Sequence, residues 1–180
     1  MVMGEHGLGR LLVAILLLAG APARAQSPTA AGFWQSSTEE GRPDGWFYFS
    51  ERNGYFEGRL VRTFDAEGLV NKPDVCRKCP GEQRNAPLVG LMIVSGMKRE
   101  SLEYDGGQIL DPRDGSLYHA QMSLSPDGRQ LSLRGYIGVP MLGQTRVWTR
   151  LSDNSLPPEA ILGLPPPPVK GALRGSLNSF

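Results

Sequence analysis

Apolar and polar residues alternate in several short stretches of this chain, which is the pattern of a β-strand buried on one face. In the clearest stretch, residues 117–124, one face carries four apolar side chains: Tyr118, Ala120, Met122 and Leu124. Residues 126–128 (Pro-Asp-Gly) then give a hairpin-turn signal, and the alternation resumes at Leu131 and Leu133. This part of the sequence predicts consecutive antiparallel strands.

The same pattern recurs along the chain and predicts about eight strands of ordinary length. The earlier ones are predicted in residues 32–36, 46–50, 55–64, 88–94 and 102–110, with a break at residues 96–98. Closing antiparallel strands into a barrel removes both exposed edges of the sheet. The predicted fold is therefore all-β, a small up-and-down barrel over residues 32–151, with a two-sheet β-sandwich as the alternative.

The N-terminal residues have the composition of a secretory signal peptide, residues 1–25. Arg10 precedes an apolar run at residues 11–20 that is too short to span a bilayer comfortably, and an Ala-Arg-Ala cleavage signal follows. We therefore expect cleavage between Ala25 and Gln26 and export to the periplasm or the medium. An uncleaved N-terminal anchor is the alternative.

The mature chain that cleavage would leave is neutral, because residues 1–25 contain two arginines and one glutamate and the whole chain carries a net charge of +1. It therefore lacks the electrostatic footprint for nucleic acid or an anionic membrane, and we expect no nucleic-acid partner. The sequence has no second long apolar segment, so we do not expect an integral membrane protein after cleavage. Residues 26–31 are interpreted as a short linker. Residues 152–180 are predicted to be a proline-rich disordered tail, since they cannot bury enough apolar surface to offset ordering entropy.

The first and last predicted strands carry motifs that would close one end of a barrel. Gly32-x-Trp34 opens the domain, and Trp148-x-Arg150 ends it. Because the first and last strands of a barrel are neighbours, an arginine of the last is placed to stack on the indole of the first. This arrangement resembles the calycin superfamily, the lipocalins and their relatives. It implies that one end is sealed and that a ligand enters at the other.

A wider set of motifs resembles a more specific family. The set runs in order through residues 71–74, 87–90, 106–112, 115–118, 134–138 and 142–150. Together with the opening Gly-x-Trp, it resembles the bacterial secreted family catalogued as domain of unknown function 2147, over residues 32–150. The resemblance implies a small secreted β-barrel and implies no activity. Tyr104 departs from the pattern, in which a tryptophan precedes the Gly-Gly pair.

Cys76 and Cys79 are separated by two residues in a long aperiodic segment, residues 65–86. In an exported protein such a pair is usually oxidised, so the first hypothesis is a disulfide that stiffens the loop. The second is thiol–disulfide exchange, because the two basic residues between the cysteines favour a thiolate. The third is half of a zinc site completed by His119 and a carboxylate, for which the chain supplies too few ligands, so we expect no metal.

The sequence contains no catalytic constellation, and we predict neither an enzyme nor a cofactor. The leading hypothesis is a barrel that binds a small amphipathic molecule at its open end, with the loop of residues 65–86 as a lid. The residues expected to contact this ligand are Trp46, Tyr48, Asn71, Asp74, Tyr118, Arg134 and Tyr136. The alternatives are a structural or protein-interaction module of the cell envelope, acting through the barrel surface or the proline-rich tail, and a thiol–disulfide role for the cysteine loop.

Overall fold

Eight β-strands make up about half of residues 27–156, the part of the chain that the computed structural model describes. The elements are β1 (Gly32–Ser37), β2 (Pro43–Arg52), β3 (Tyr55–Thr63), β4 (Met92–Glu100), β5 (Glu103–Leu110), β6 (Leu117–Leu124), β7 (Gln130–Tyr136) and β8 (Gln144–Arg150). Two short 3-10 turns, Gly81–Gln83 and Pro140–Leu142, interrupt the connections.

Each strand pairs antiparallel with the next, and the sheet closes on itself. Closure is made by β8 pairing back to β1, with Trp34 opposite Arg150 and Gln35 opposite Thr149. The prediction of an all-β up-and-down barrel is confirmed, and the sandwich alternative is wrong. A closed sheet leaves no strand with unpaired backbone groups along its edge.

Connections of two kinds give the barrel two unlike ends. Short turns join β2 to β3, β4 to β5 and β6 to β7; Asn53 and Gly54 both adopt positive φ, as a two-residue hairpin turn requires. The longer connections all lie at the opposite end: residues 38–42, 64–91, 111–116 and 137–143. The end with the short turns is called the turn end, and the end with the longer connections is called the loop end.

The strand β4 differs from its predicted form. It begins at Met92 rather than at residue 88, and it continues to Glu100 without the break expected at residues 96–98. Val94 pairs with Gly58 and Met97 with Phe56, so β4 has one more residue than β3 between these pairs. Gly96, at φ +71°, accommodates the extra residue as a β-bulge, and the strand therefore bends instead of ending.

Aromatic and aliphatic side chains from all eight strands fill the described interior in one continuous cluster. Phe47 and Trp148 stack across it with ring centroids 4.0 Å apart and an interplanar angle of 16°. Phe49 fills the space above Gly58, where a β-carbon would lie 2.6 Å from the ring. Because the interior is occupied by the chain's own side chains, a ligand site is more readily formed at an end of the barrel than within it.

Candidate ligand site at the loop end

Arg150 seals the turn end of the barrel. Its guanidinium carbon lies 4.2 Å from the centroid of the Trp34 ring. The same guanidinium donates hydrogen bonds to the carbonyl oxygens of Gly128 (2.5 Å), Ala31 (2.8 Å) and Thr29. Burial lowers the pKa of Arg150, so its positive charge depends on these partners for stabilisation.

Residues 27–31 complete the seal. Ala30 is fully buried, its N–H donates to the Tyr104 hydroxyl (2.8 Å), and its carbonyl accepts from Trp34 Nε1 (2.8 Å). An indole N–H only donates, so the tyrosine at this position provides an acceptor that tryptophan lacks. Gly32 leaves room for the arginine, because a β-carbon there would lie 2.8 Å from Arg150 Nη1. The turn end of the barrel is therefore closed by Arg150, Trp34 and residues 27–31.

The long connection between β3 and β4 is pinned to the barrel by a disulfide. Cys76 and Cys79 are bonded to each other, and each is 1 % exposed. They pack on the β5–β6 connection, where a β-carbon at Gly115 would lie 1.9 Å from the Lys78 carbonyl oxygen. Both cysteines are therefore shielded from solvent while the loop is docked on this connection.

The same connection folds back on itself as two arms, residues 70–76 (the first arm) and 86–90 (the second arm). The Leu88 N–H donates to the Asp74 carbonyl oxygen at 2.8 Å and joins the arms. Arg59 of β3 donates to the Gly90 carbonyl oxygen at 2.7 Å and fixes the second arm against the barrel. These hydrogen bonds hold the connection of residues 64–91 against the barrel, and its role as a lid stays a prediction.

A groove of about 270 Å³ lies between the two arms and the end of β3. Its apolar lining comes from Val61, Val70, Pro73, Pro87, Leu88 and Val89. Val70 is 60 % exposed and Val89 is 44 % exposed, so this apolar strip is open to solvent. The groove is of the size that holds a small organic molecule or one end of a longer one.

The polar lining of the groove carries an excess of positive charge. Arg62 lies over the Trp46 ring, 4.5 Å from its centroid, and Lys72 lies on the first arm. Among the described residues, neither cation has an ion-pair partner. Asp74 is paired with Arg77 at 2.9 Å. The Val75 N–H and then Arg77 hold the pKa of Asp74 below its usual range, so this carboxylate stays ionised and compensated.

The structure divides the seven predicted contact residues among several places. Asn71 and Asp74 line the groove, and Trp46 lies beside it under the arginine. Tyr48 lies on the outer face of the barrel, with Phe33 at a centroid distance of 4.9 Å. Of these four residues, only Asn71 and Asp74 belong to the groove.

The remaining three residues lie across the barrel mouth. Tyr118 is half-buried on the inner face, which it shares with Ala120 and Met122. Tyr136 is on the outer face next to His119, with ring centroids 5.5 Å apart. Arg134 is also on the outer face and binds the β7–β8 connection. The seven residues therefore do not form one site.

Several groove residues were not among the predicted contacts: Val70, Lys72, Pro87, Leu88 and Val89. The signal available in the sequence was the position of two short apolar stretches on either side of the cysteine pair. These stretches come together only because the two arms pair, and the sequence of the loop has no regular pattern that would predict this pairing. The prediction therefore found only the polar residues of the Asn-x-Pro-Asp motif.

Some predictions fall outside residues 27–156. These are the signal peptide of residues 1–25, its cleavage between Ala25 and Gln26, and residues 157–180 of the expected tail. The tail's first residues are described: Leu156 is 6 % exposed and packs with Phe33 and Val61 on the outside of the barrel.

Within residues 27–156, no three His, Cys, Asp or Glu side chains are grouped to hold a metal ion. That same part of the chain contains no helix of the length and apolarity needed to cross a membrane.

Comparison with known proteins agrees with this architecture. The Helicobacter pylori protein HP1028, described as belonging to the lipocalin family, has a similar fold with a TM-score of 0.61 and 22 % sequence identity. The match covers 76 % of this chain and 97 % of that protein. No curated protein matches the chain at a significant level. A family model described as an uncharacterized protein conserved in bacteria (DUF2147) matches residues 32–150, so this chain belongs to that family and is a lipocalin-like barrel.

Proposed function

We propose that this protein binds a small amphipathic anion in the groove at the loop end. The observation that carries the proposal is the composition of the groove wall, where exposed Val70 and Val89 lie beside the cations Arg62 and Lys72. Ligand sites are concave, largely apolar and equipped with a few polar groups that orient the ligand. The apolar body of the ligand would lie on the valines, with its acidic group near Lys72.

The filled interior supports the groove rather than the lumen as the ligand site. Trp34, Phe47, Phe49 and Trp148 occupy the space that a ligand would need inside the barrel, and each is at most 8 % exposed. The likeness to a protein described as a lipocalin supports small-molecule binding as the class of function, and binding rather than catalysis as the role.

In this proposal the protein binds its ligand outside the cytoplasm. The N-terminal apolar run with its Ala-Arg-Ala signal supports export, and the oxidised Cys76–Cys79 pair is typical of an oxidising compartment. Export and the ligand are separate parts of the proposal. The mass of the protein recovered from the bacterial envelope tests the first, through loss of residues 1–25.

Binding of 8-anilinonaphthalene-1-sulfonate, an apolar anion, tests the groove directly. We expect its fluorescence to rise on binding to the purified protein. Lys72→Glu and Val89→Glu should each weaken the measured affinity by about tenfold or more, because each removes a favourable contact and adds a negative charge near the sulfonate. Titration of the fluorescence at fixed protein concentration gives the dissociation constants.

Val147→Glu is the matched control for this experiment. Val147 is 54 % exposed on β8, outside the groove, so the substitution makes the same change in charge and side chain elsewhere. We expect its affinity for the dye to equal that of the wild type. Equal affinities of the wild type, Lys72→Glu and Val89→Glu would place the dye elsewhere and contradict the groove as the binding site.

A further inference from the structure

The β7–β8 connection projects an exposed apolar tip from the loop end. The tip is defined as residues 137–142, Ile-Gly-Val-Pro-Met-Leu. Met141 is 89 % exposed, Leu142 81 %, Ile137 71 % and Val139 54 %. Four large apolar side chains in six residues, all facing solvent, form a contiguous patch that a protein surface does not usually maintain without a partner.

Part of the backbone of the tip has hydrogen-bond partners within the loop and β7. Arg134 donates hydrogen bonds to the carbonyl oxygens of Pro140 (2.6 Å) and Met141 (3.1 Å). The Leu142 N–H donates to the Val139 carbonyl oxygen at 3.2 Å. These three carbonyl oxygens and the Leu142 amide can therefore leave water without losing a hydrogen-bond partner.

The tip lies in an uncharged stretch of the chain that is bounded by arginines. Residues 135–145 include no charged side chain, and an arginine lies at each end, Arg134 and Arg146. Tyr136 lies at the base of the tip, on the outer face of β7. An uncharged apolar end with a tyrosine at its base matches the depth profile of a phospholipid bilayer from the acyl chains to the interface. Arg134 is bonded to the loop itself, so Arg146, which is exposed on β8, is the arginine available to the phosphates.

We infer that the tip inserts into the surface of a phospholipid bilayer and docks the barrel there by its loop end. This inference goes beyond the proposed ligand binding and does not depend on the groove, which lies across the barrel mouth on the β3–β4 connection. A stable protein interface uses about 20–30 residues a side, many more than the six of this tip. Apolar insertion is the driving force, so the expected neutrality of the mature chain does not oppose it.

A probe on the tip measures insertion without interference from the rest of the chain. Val139→Cys gives one reactive thiol in the full chain, because the native cysteines are bonded to each other and buried. Labelled with an NBD fluorophore and mixed with phosphatidylcholine–phosphatidylglycerol vesicles, it should brighten and shift to the blue. Tyr55→Cys, at the turn end and 48 % exposed, should show no change with the same label. An unchanged spectrum from position 139 would overturn the inference.

Flotation with the same vesicles measures the energetic contribution of the tip. Met141→Asp and Leu142→Asp should each lower the partition coefficient by about tenfold or more, whereas Tyr55→Asp should leave it unchanged. Binding of 8-anilinonaphthalene-1-sulfonate in the groove should survive in both tip variants, which separates this inference from the proposed function. If Met141→Asp instead abolishes a concentration-dependent dimer and the wild type ignores vesicles, the tip is a self-association surface and the inference is wrong.

Discussion

Replacing Arg150 with alanine is expected to lower the free energy of unfolding by about 3 kcal/mol. The guanidinium holds three carbonyl oxygens and covers the face of Trp34, so its loss leaves two partly buried acceptors and one exposed acceptor without their donor at the turn end. It also releases the segment of residues 27–31 from the barrel. For a domain of this size, the loss corresponds to a fall of about 10 °C in the melting temperature, which circular dichroism measures.

Two variants separate the specific role of Arg150 from a general effect of charge. Arg146→Ala removes the same charge four residues earlier on β8, where the side chain is exposed. It should change stability by less than about 0.5 kcal/mol. Arg150→Lys keeps the charge but loses the planar fork that reaches several carbonyls, so we expect an intermediate loss. Equal stability of Arg150→Ala and Arg146→Ala would show that the seal contributes nothing beyond charge.

The strands and their closure were predictable because the information is local or comes from the two ends of the domain. Period-two alternation in residues 117–124 corresponds to β6, with Ala120 and Met122 both 1 % exposed. Barrel closure followed from pairing the first strand with the last, which places Trp34 opposite Arg150. These features needed only the alternation, the turn residues and two motifs.

The alternation along a strand shows which side chains share a face, but it does not show which of the two faces points inward. In β2 both faces are aromatic, with Trp46 and Tyr48 alternating with Phe47 and Phe49. The phenylalanines fill the interior, and Trp46 and Tyr48 lie outside, so the alternation alone does not determine which aromatic pair lines the interior. Polarity cannot decide such a case, because both sets gain from burial.

Bulges and loop pairing account for the rest of the difference. Trp46 pairs with Arg62 whereas Phe47 pairs with Leu60, so Val61 is an extra residue that reverses parity at the end of β3. That reversal turns Arg62 outward over Trp46 and towards the groove. The register of a bulge depends on the partner strand, and a single strand's alternation therefore does not reveal it.

Replacing Gly115 with alanine is expected to free the cysteine loop. Gly115 has φ +83°, which costs a residue with a side chain about 1–2 kcal/mol, and its β-carbon would lie 1.9 Å from the Lys78 carbonyl oxygen. The clash adds about 1–3 kcal/mol. The equilibrium between the docked and lifted loop should therefore shift by about a hundredfold or more. The readout is the rate at which dithiothreitol reduces the Cys76–Cys79 disulfide in the folded protein, followed by trapping of free thiols.

The control separates loop docking from backbone strain, and the outcome also tests the role of the disulfide. Gly41→Ala places a side chain at φ +79° with no atom within 4 Å, so it has the strain without the clash and should leave the reduction rate unchanged. Rapid reduction in Gly115→Ala, with slow reduction in the wild type, means that burial under the β5–β6 connection protects the bond, as a structural disulfide requires. Equally rapid reduction in both proteins would contradict docking of the loop and would favour the thiol–disulfide role instead, because an accessible Cys-x-x-Cys pair is the one suited to exchange.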